Sequence, residues 1–152
     1  MKILTLLALA TVVGFGQQQA TPPKQVVFVC EHGAAKSVIA AAYFNKLAAE
    51  RHLPYQAIAR GTTPQEELAT SAVAGLKRDA IPFPASEKPK ALTAAEANKA
   101  AKVVAFCPLP AALKPAGAEI YDVPGPGANY DQSRDAILVH VKSVLDELQK
   151  LP

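Results

Sequence analysis

A cysteine, a lysine and a serine lie close together early in the chain, in a spacing suited to nucleophilic chemistry on an anion. Cys30 ends an apolar run, and Lys36 and Ser37 follow after a small loop that contains Gly33. The first N–H groups of a helix have no partner within the helix and carry partial positive charge, so a helix beginning at Ser37 would attract an anion. A thiol beside a helix N-terminus and a cation is biased toward thiolate, the nucleophilic form. These residue types predict a nucleophilic Cys30 facing an oxyanion.

We expect the anion to contact the loop that follows the cysteine. The predicted oxyanion-binding residues are Glu31, His32, Gly33, Ala34, Ala35, Lys36 and Ser37. Ser37 can also cap the helix. His32 can donate to the anion, but an exposed loop histidine without that role is the preferred interpretation. Glu31 is expected to point to solvent because a carboxylate repels an anion. A structural interpretation stays open at this point, because cysteine is often a small buried hydrophobe.

Short apolar strands alternate with helices along the chain. We expect strands at 25–29, 55–59, 102–106 and 119–121, and helices at 37–51, from 62 onward, after a cap at Thr93, and at 130–150. This alternation predicts a parallel sheet with helices on both faces. Ligands of such sheets bind at the carboxyl ends of the strands. Cys30, Cys107 and Asp122 each follow a strand, so we expect all three at one edge.

Three of the helices have apolar residues at helical spacing, which predicts their buried faces. In the first helix these residues are Ile39, Tyr43 and Leu47. In the second they are Leu68, Ala72, Val73 and Leu76, and in the last they are Ile137, Val141, Val144, Leu145 and Leu148.

The spacing Cys-x5-Lys-Ser after an apolar strand resembles the Cys-x5-Arg-Ser loop of the low-molecular-weight protein tyrosine phosphatases. The thioredoxin-coupled arsenate reductases share that fold and loop. The resemblance covers about residues 25–150 and continues through Ala40-Ala41-Ala42-Tyr43-Phe44-Asn45, Ala59-Arg60-Gly61-Thr62, the strand ending at Cys107, and Asp122-Val123-Pro124-Gly125-Pro126. It implies a three-layer α/β/α domain with a four-stranded parallel sheet in the order 2-1-3-4. Right-handed crossovers favour the same order.

The resemblance also implies an activity. It predicts an enzyme that hydrolyses phosphoric monoesters or reduces arsenate, with Cys30 as nucleophile and Lys36 binding the oxyanion. The expected ligands are a phosphorylated substrate or inorganic phosphate or arsenate, and a thiol reductant is a possible partner.

Two departures from the family pattern affect the chemistry. Lys36 stands where the family has Arg, so a compact point charge replaces a planar bidentate fork. Gly125 stands where the family has the Asp that protonates the leaving oxygen. Asp122 is the better substitute for that acid, but a loop Asp often satisfies its own backbone instead. The alternative function is therefore a catalytically weakened module that binds phosphate, another oxyanion or a phosphoprotein.

Cys107 matches the first resolving cysteine of the arsenate reductases, and residues 108–117 contain no second one. If strands 1 and 3 are neighbours, their ends lie about 4.8 Å apart, which suits a disulfide. We therefore predict a redox pair of Cys30 and Cys107 whose disulfide masks the nucleophile. The alternative is a Cys107 whose side chain is turned into the core.

Composition excludes several other classes. The net charge of +3 comes without a run of Lys or Arg, so no nucleic-acid or acidic-membrane partner is indicated. The chain has no Cys-x-x-Cys, and its three histidines are scattered, so neither a metal site nor a cofactor is expected.

Residues 1–20 have the composition of a secretory signal peptide. Lys2 precedes a short apolar run from Ile3 to Phe15, and small residues follow. The run is too short for a comfortable membrane span. Residues 21–24 are expected to be a linker to the domain at 25–150. After cleavage no membrane attachment is expected.

We therefore predict that the mature protein lacks about the first 16 to 20 residues and acts in the periplasm or outside the cell. Intact-mass measurement on protein from the native cell, fractionated into cytoplasm and periplasm, checks this. A cytoplasmic protein that keeps Met1 to Ala20 would contradict it.

Overall fold

The computed structural model describes residues 21–151, so the predicted signal peptide lies outside the described residues. Four strands form one parallel sheet in the order β2-β1-β3-β4. They are β1 (Lys24–Cys30), β2 (Tyr55–Gly61), β3 (Lys102–Ala105) and β4 (Glu119–Ile120). The predicted order is confirmed. Residues 26 to 29 of β1 are fully buried, as expected for a strand covered on both faces.

Helices cover both faces of this sheet. They are α1 (Lys36–Glu50), α2 (Thr70–Arg78), α3 (Ala94–Lys99) and α4 (Tyr130–Leu148). Val26 and Phe28 of β1 pack into one apolar cluster with α1, α2 and α4. Val27 and Val29 pack into the other, with α3 and a 3-10 turn at Ala111–Leu113. Alternate strand residues thus build two separate cores, which gives the three layers. No helix among residues 21–151 is long and apolar enough to cross a membrane.

One predicted helix cap and one predicted buried helix face are confirmed in detail. Thr93 caps α3, and its side chain and that of Glu96 form the predicted capping box. In α4 all five predicted face residues are buried. α1 differs: Phe44 and Ala48 are buried, whereas Tyr43 and Leu47 are only partly buried. The predicted face was therefore too narrow, because α1 packs against the sheet, α2 and α4 together.

The predicted start of the second helix was wrong. α2 begins at Thr70, eight residues after the expected start at Thr62. Residues 62–69, which we call the docking segment, use backbone N–H groups for contacts to the loop after β1 instead of for helical bonds. Pro64 at a helix start is a local signal that these long-range contacts overrode.

A polar cluster ties three helices of one layer together. Asp79, just after α2, accepts hydrogen bonds from the Tyr43 hydroxyl of α1 at 2.7 Å and from Arg134 Nη1 of α4 at 3.0 Å. Arg78 Nε also donates to Asp79, at 3.0 Å. Partial burial acts to raise the pKa of Asp79, but the hydrogen bonds from Tyr43, Arg78 and Arg134 outweigh it and hold this pKa well below the ordinary value. The ionised carboxylate therefore stabilises the folded state.

We predict that Asp79→Asn destabilises the fold by about 1–3 kcal/mol at pH 7, since charge-assisted hydrogen bonds are lost. Because the folded-state pKa is depressed, the carboxylate's contribution is present above the unfolded value of about 4 and shrinks as the pH falls below it. Urea unfolding of wild type and variant at pH 7, 5 and 3 measures this. The gap between them should narrow at pH 3, and the exposed Asp135→Asn should change little. An equal gap at every pH would contradict the assignment.

Candidate active site

Hydrogen bonds to its backbone carbonyls fix the loop from Glu31 to Ser37, here called the oxyanion loop. The docking segment donates three backbone hydrogen bonds to carbonyls of the loop and a fourth to the carbonyl of Cys30, the residue before it. They run from Thr62 to Cys30, from Thr63 to Glu31, from Gln65 to His32 and from Ala69 to Ala34, with lengths of 3.2, 2.8, 3.2 and 3.0 Å. The carbonyls of Glu31, His32 and Ala34 are therefore satisfied from outside, without the use of the loop's own donors.

The amide side of the loop is left without protein partners. Within residues 21–151, no backbone N–H of the oxyanion loop donates a hydrogen bond. These donors include the first amides of α1, since the helix begins at Lys36. Unpaired backbone N–H groups at a loop–helix junction are the usual means of binding an oxyanion. The predicted binding segment thus has the free donors that the prediction required.

Two glycines permit the close contact between loop and sheet. Gly33 has a φ of +63°, a left-handed conformation that favours glycine. A Cβ on Gly33 would lie 2.8 Å from the Gly61 nitrogen, and a Cβ on Gly61 would lie 2.7 Å from the Gly33 nitrogen. Any larger residue at either position would push the loop off the end of β2.

Cys30 lies at the bottom of the loop with its sulfur against Ser37. Cys30 is 3% exposed, Ser37 is fully buried, and Sγ lies 3.1 Å from Oγ. Ser37 does not cap α1 as predicted, because the helix starts one residue earlier and has no side-chain cap. Its hydroxyl is instead placed to donate to a Cys30 thiolate.

Lys36 connects the oxyanion loop with residues 122–126, here called the late loop. Its Nζ donates to the Val123 carbonyl at 3.3 Å. The next carbonyl, that of Pro124, accepts from the buried Ser133 hydroxyl at 2.7 Å. The cation is therefore held between the start of α1 and an anchored turn of the late loop.

A cavity of about 270 Å³ opens over these groups. It is lined by Cys30, Glu31, His32, Ala34, Ala35, Lys36, Gln65, Ala69, Phe106, Cys107, Gly125 and Pro126. From the late loop, only Gly125 and Pro126 line the cavity; Asp122 is exposed and does not line it. The late loop thus contributes no carboxylate to the cavity, and the proposed role of Asp122 stays a prediction.

Sequence reasoning missed Gln65 and Ala69 as lining residues. Both belong to the docking segment, for which Thr62 to Pro64 predict a helix instead. Phe106, predicted only as a strand residue, follows β3 and lines the cavity, and its ring stacks on that of Phe28 with 6.2 Å between the centroids.

Cys107 lines the same cavity from a different direction. Cys30 packs with Val26 and Phe28 in one core, whereas Cys107 packs with Val27 and Val29 in the core on the other face of the sheet. Both are free cysteines, so the predicted disulfide is not present in this structure. Val29 pairs with Ala105, so Cys30 is level with Phe106, and Cys107 lies one residue further along. Successive side chains of a strand point to opposite faces of the sheet, so the two cysteines point in opposite directions. Burial raises the pKa of the Cys107 thiol, and the nearby Cys30 raises this pKa further.

Comparison with protein-family models gave no match, and comparison with curated protein sequences gave none either. Solved structures do match. YfkJ from Bacillus subtilis has a TM-score of 0.73 at 19% identity, over 87% of this chain and 98% of that one. A low molecular weight protein tyrosine phosphatase from T. tengcongensis has 0.67 at 18%, over 82% and 99%. A protein described as an arsenate reductase in the phosphate binding state has 0.70 at 16%, over 82% and 98%.

The chain has the low-molecular-weight phosphatase fold. The resemblance predicted from the Cys-x5-Lys-Ser spacing is confirmed at this level. Within the phosphatase fold, the position after β1 at the carboxyl edge of the sheet is where ligands of open α/β sheets bind, and the cavity over Cys30 lies there.

We predict that Lys36→Ala weakens binding of inorganic phosphate by about tenfold or more, because the cation beside the free amides is lost. Lys36→Arg should restore binding, since a guanidinium keeps the charge and adds a bidentate fork. Isothermal titration with phosphate measures both. Lys46→Ala, on an exposed part of α1, is the matched control. Unchanged binding in Lys36→Ala would contradict the site.

Proposed function

We propose that this protein is a phosphoric monoester hydrolase of the protein tyrosine phosphatase type, with Cys30 as nucleophile. The observation that supports the proposal is that backbone carbonyls of the oxyanion loop accept hydrogen bonds from the protein, whereas its backbone N–H groups donate none to the described residues. The carbonyls of Glu31, His32 and Ala34 accept hydrogen bonds from the docking segment, while the N–H groups of the loop donate to no described residue. The loop lies directly beside the buried Cys30. Such an array suits the three non-bridging oxygens of a phosphoryl group.

The residues then have separate roles in the first step. The Cys30 thiolate attacks phosphorus, an S–P bond forms, and the P–O bond to the leaving group breaks. The loop amides and the Lys36 ammonium stabilise the charge on the phosphoryl oxygens. The Ser37 hydroxyl, 3.1 Å from Sγ, stabilises the thiolate before attack and when it leaves. In the second step water attacks phosphorus and the S–P bond breaks.

Arsenate reduction is a second candidate, favoured by the presence of Cys107 in the same cavity. Reducing arsenate to arsenite requires two electrons, which two thiols supply when they form a disulfide. With both cysteines free and in different cores, Cys107 would have to move to reach Cys30, or a thiol reductant from solution would take its place. The hydrolase needs no such movement and is therefore preferred.

We predict turnover of an aryl phosphate by the reduced wild-type protein, and a loss of at least about 10³-fold in Cys30→Ser, since the nucleophile is removed. Phosphate release under reducing conditions is the assay. Cys107→Ser is the matched control and should keep most of the hydrolase activity.

The two functions and the binding-module alternative give different results. Arsenite production that is lost in both Cys30→Ser and Cys107→Ser, without phosphate release by wild type, would identify a reductase. Phosphate binding without turnover of any ester or of arsenate would identify a binding module.

A further inference from the structure

Ester hydrolysis at this site requires a proton for the departing oxygen. When the P–O bond breaks, its electron pair stays on that oxygen, and a positioned acid typically accelerates the step by about 10²–10⁴-fold. Among the described residues, five titratable side chains line the cavity over Cys30: those of Cys30, Glu31, His32, Lys36 and Cys107. The donor should be sought among them.

Three of these groups have other positions or roles. Cys30 lies under the free amides as the nucleophile. Lys36 Nζ is directed at the Val123 carbonyl, and loss of its proton would remove the positive charge that the anion requires. Cys107 belongs to the apolar core on the other face of the sheet.

The remaining pair lies at the mouth of the cavity. Glu31 and His32 follow the nucleophile directly, and their side chains are 68% and 56% exposed. His32 Nε2 lies 3.8 Å from Glu31 Oε1. A leaving group that extends outward from phosphorus passes this mouth, whereas the phosphoryl oxygens face the loop amides.

We propose that His32 is the proton donor of the reaction and that Glu31 orients its ring. Histidine both gives and takes protons near neutral pH, while an ionised carboxylate only accepts. With Nε2 turned toward Glu31, Nδ1 is left for the substrate. This inference rests on the proposed hydrolase function.

The proton balance closes over the two steps. In the first, imidazolium Nδ1 passes its proton to the leaving oxygen as the S–P bond forms, which leaves neutral imidazole. In the second, the imidazole takes a proton from the attacking water as the S–P bond breaks, and Cys30 returns to thiolate. The products are the alcohol and phosphate, and no redox partner is consumed.

A series of aryl phosphates with leaving groups of increasing basicity tests this, from 2,4-dinitrophenyl to phenyl phosphate. A poor leaving group needs the proton and a good one does not. In His32→Asn, kcat/KM for phenyl phosphate, which reports the first step alone, should fall by about 10²-fold or more, while kcat/KM for the dinitrophenyl ester should change less than about threefold. Glu31→Gln should lower the activity less, but its effect should likewise be larger for phenyl phosphate than for the dinitrophenyl ester. His52→Asn is the matched control, since His52 is exposed, distant, and at a positive φ that Asn tolerates.

Competitive inhibition by inorganic phosphate separates proton donation from anion binding and should be unchanged in His32→Asn. An equal loss of kcat/KM for every ester, or weaker phosphate inhibition, would show a positioning role and overturn the proposal. The proposal would also be overturned if kcat/KM of the wild type fell steeply as the leaving group became more basic. It would be overturned as well if Glu31→Gln made that fall steeper and His32→Asn did not. If wild type cleaves no ester yet binds phosphate, the hydrolase function itself fails, and the donor with it.

Discussion

The site depends on one constraint: the oxyanion loop must have its carbonyls satisfied without using its amides. A loop that pairs its own N–H and C=O groups has no donors left for a ligand, and unpaired buried carbonyls are costly. The docking segment, residues 62–69, provides three hydrogen bonds to loop carbonyls and a fourth to the carbonyl of Cys30. The contact requires a close approach of β2 to the loop, which Gly33 and Gly61 permit because a Cβ on either would lie under 3 Å from the other's backbone. The late start of α2 at Thr70 follows from the same requirement.

Much of the fold could be predicted because its signals are local. The apolar run ending at Cys30, the capping box at Thr93 and the five-residue face of α4 each depend on residues close in sequence. Their alternation indicated a parallel sheet, and the family resemblance supplied the strand order. Pro64 shows the limit of this approach. It favours a helix start locally, yet Gln65 and Ala69 donate to the loop after β1 instead, and nothing within the segment itself indicates a partner some 30 residues earlier in the chain.

The chemical environment of the site was less predictable, because it depends on side-chain direction across elements. The prediction that the strands before Cys30 and Cys107 are neighbours is confirmed, but only Cys30 ends its strand, because β3 stops at Ala105, two residues before Cys107. The separation of the two cysteines into opposite cores follows from the register, in which Val29 pairs with Ala105, so that the parity of Cys30 differs from that of Cys107. The sequence alone does not define this register. Ser37 is similar: the pattern indicated a cap, but a helix start one residue earlier turns its hydroxyl to the sulfur of Cys30.

The two departures from the resembled family are connected through one contact. A lysine ammonium has three donors, so Lys36 can give one to the Val123 carbonyl and keep two for an oxyanion. The late loop thereby supplies an acceptor that positions the cation, and the Ser133 hydroxyl fixes the following carbonyl of Pro124. An ionised carboxylate at Gly125, beside this cation in the cavity lining, would compete with the anion for Lys36. A single point charge at position 36 therefore fits best with a late loop without an acid, and in the proposed mechanism the proton comes instead from His32, which lines the same cavity.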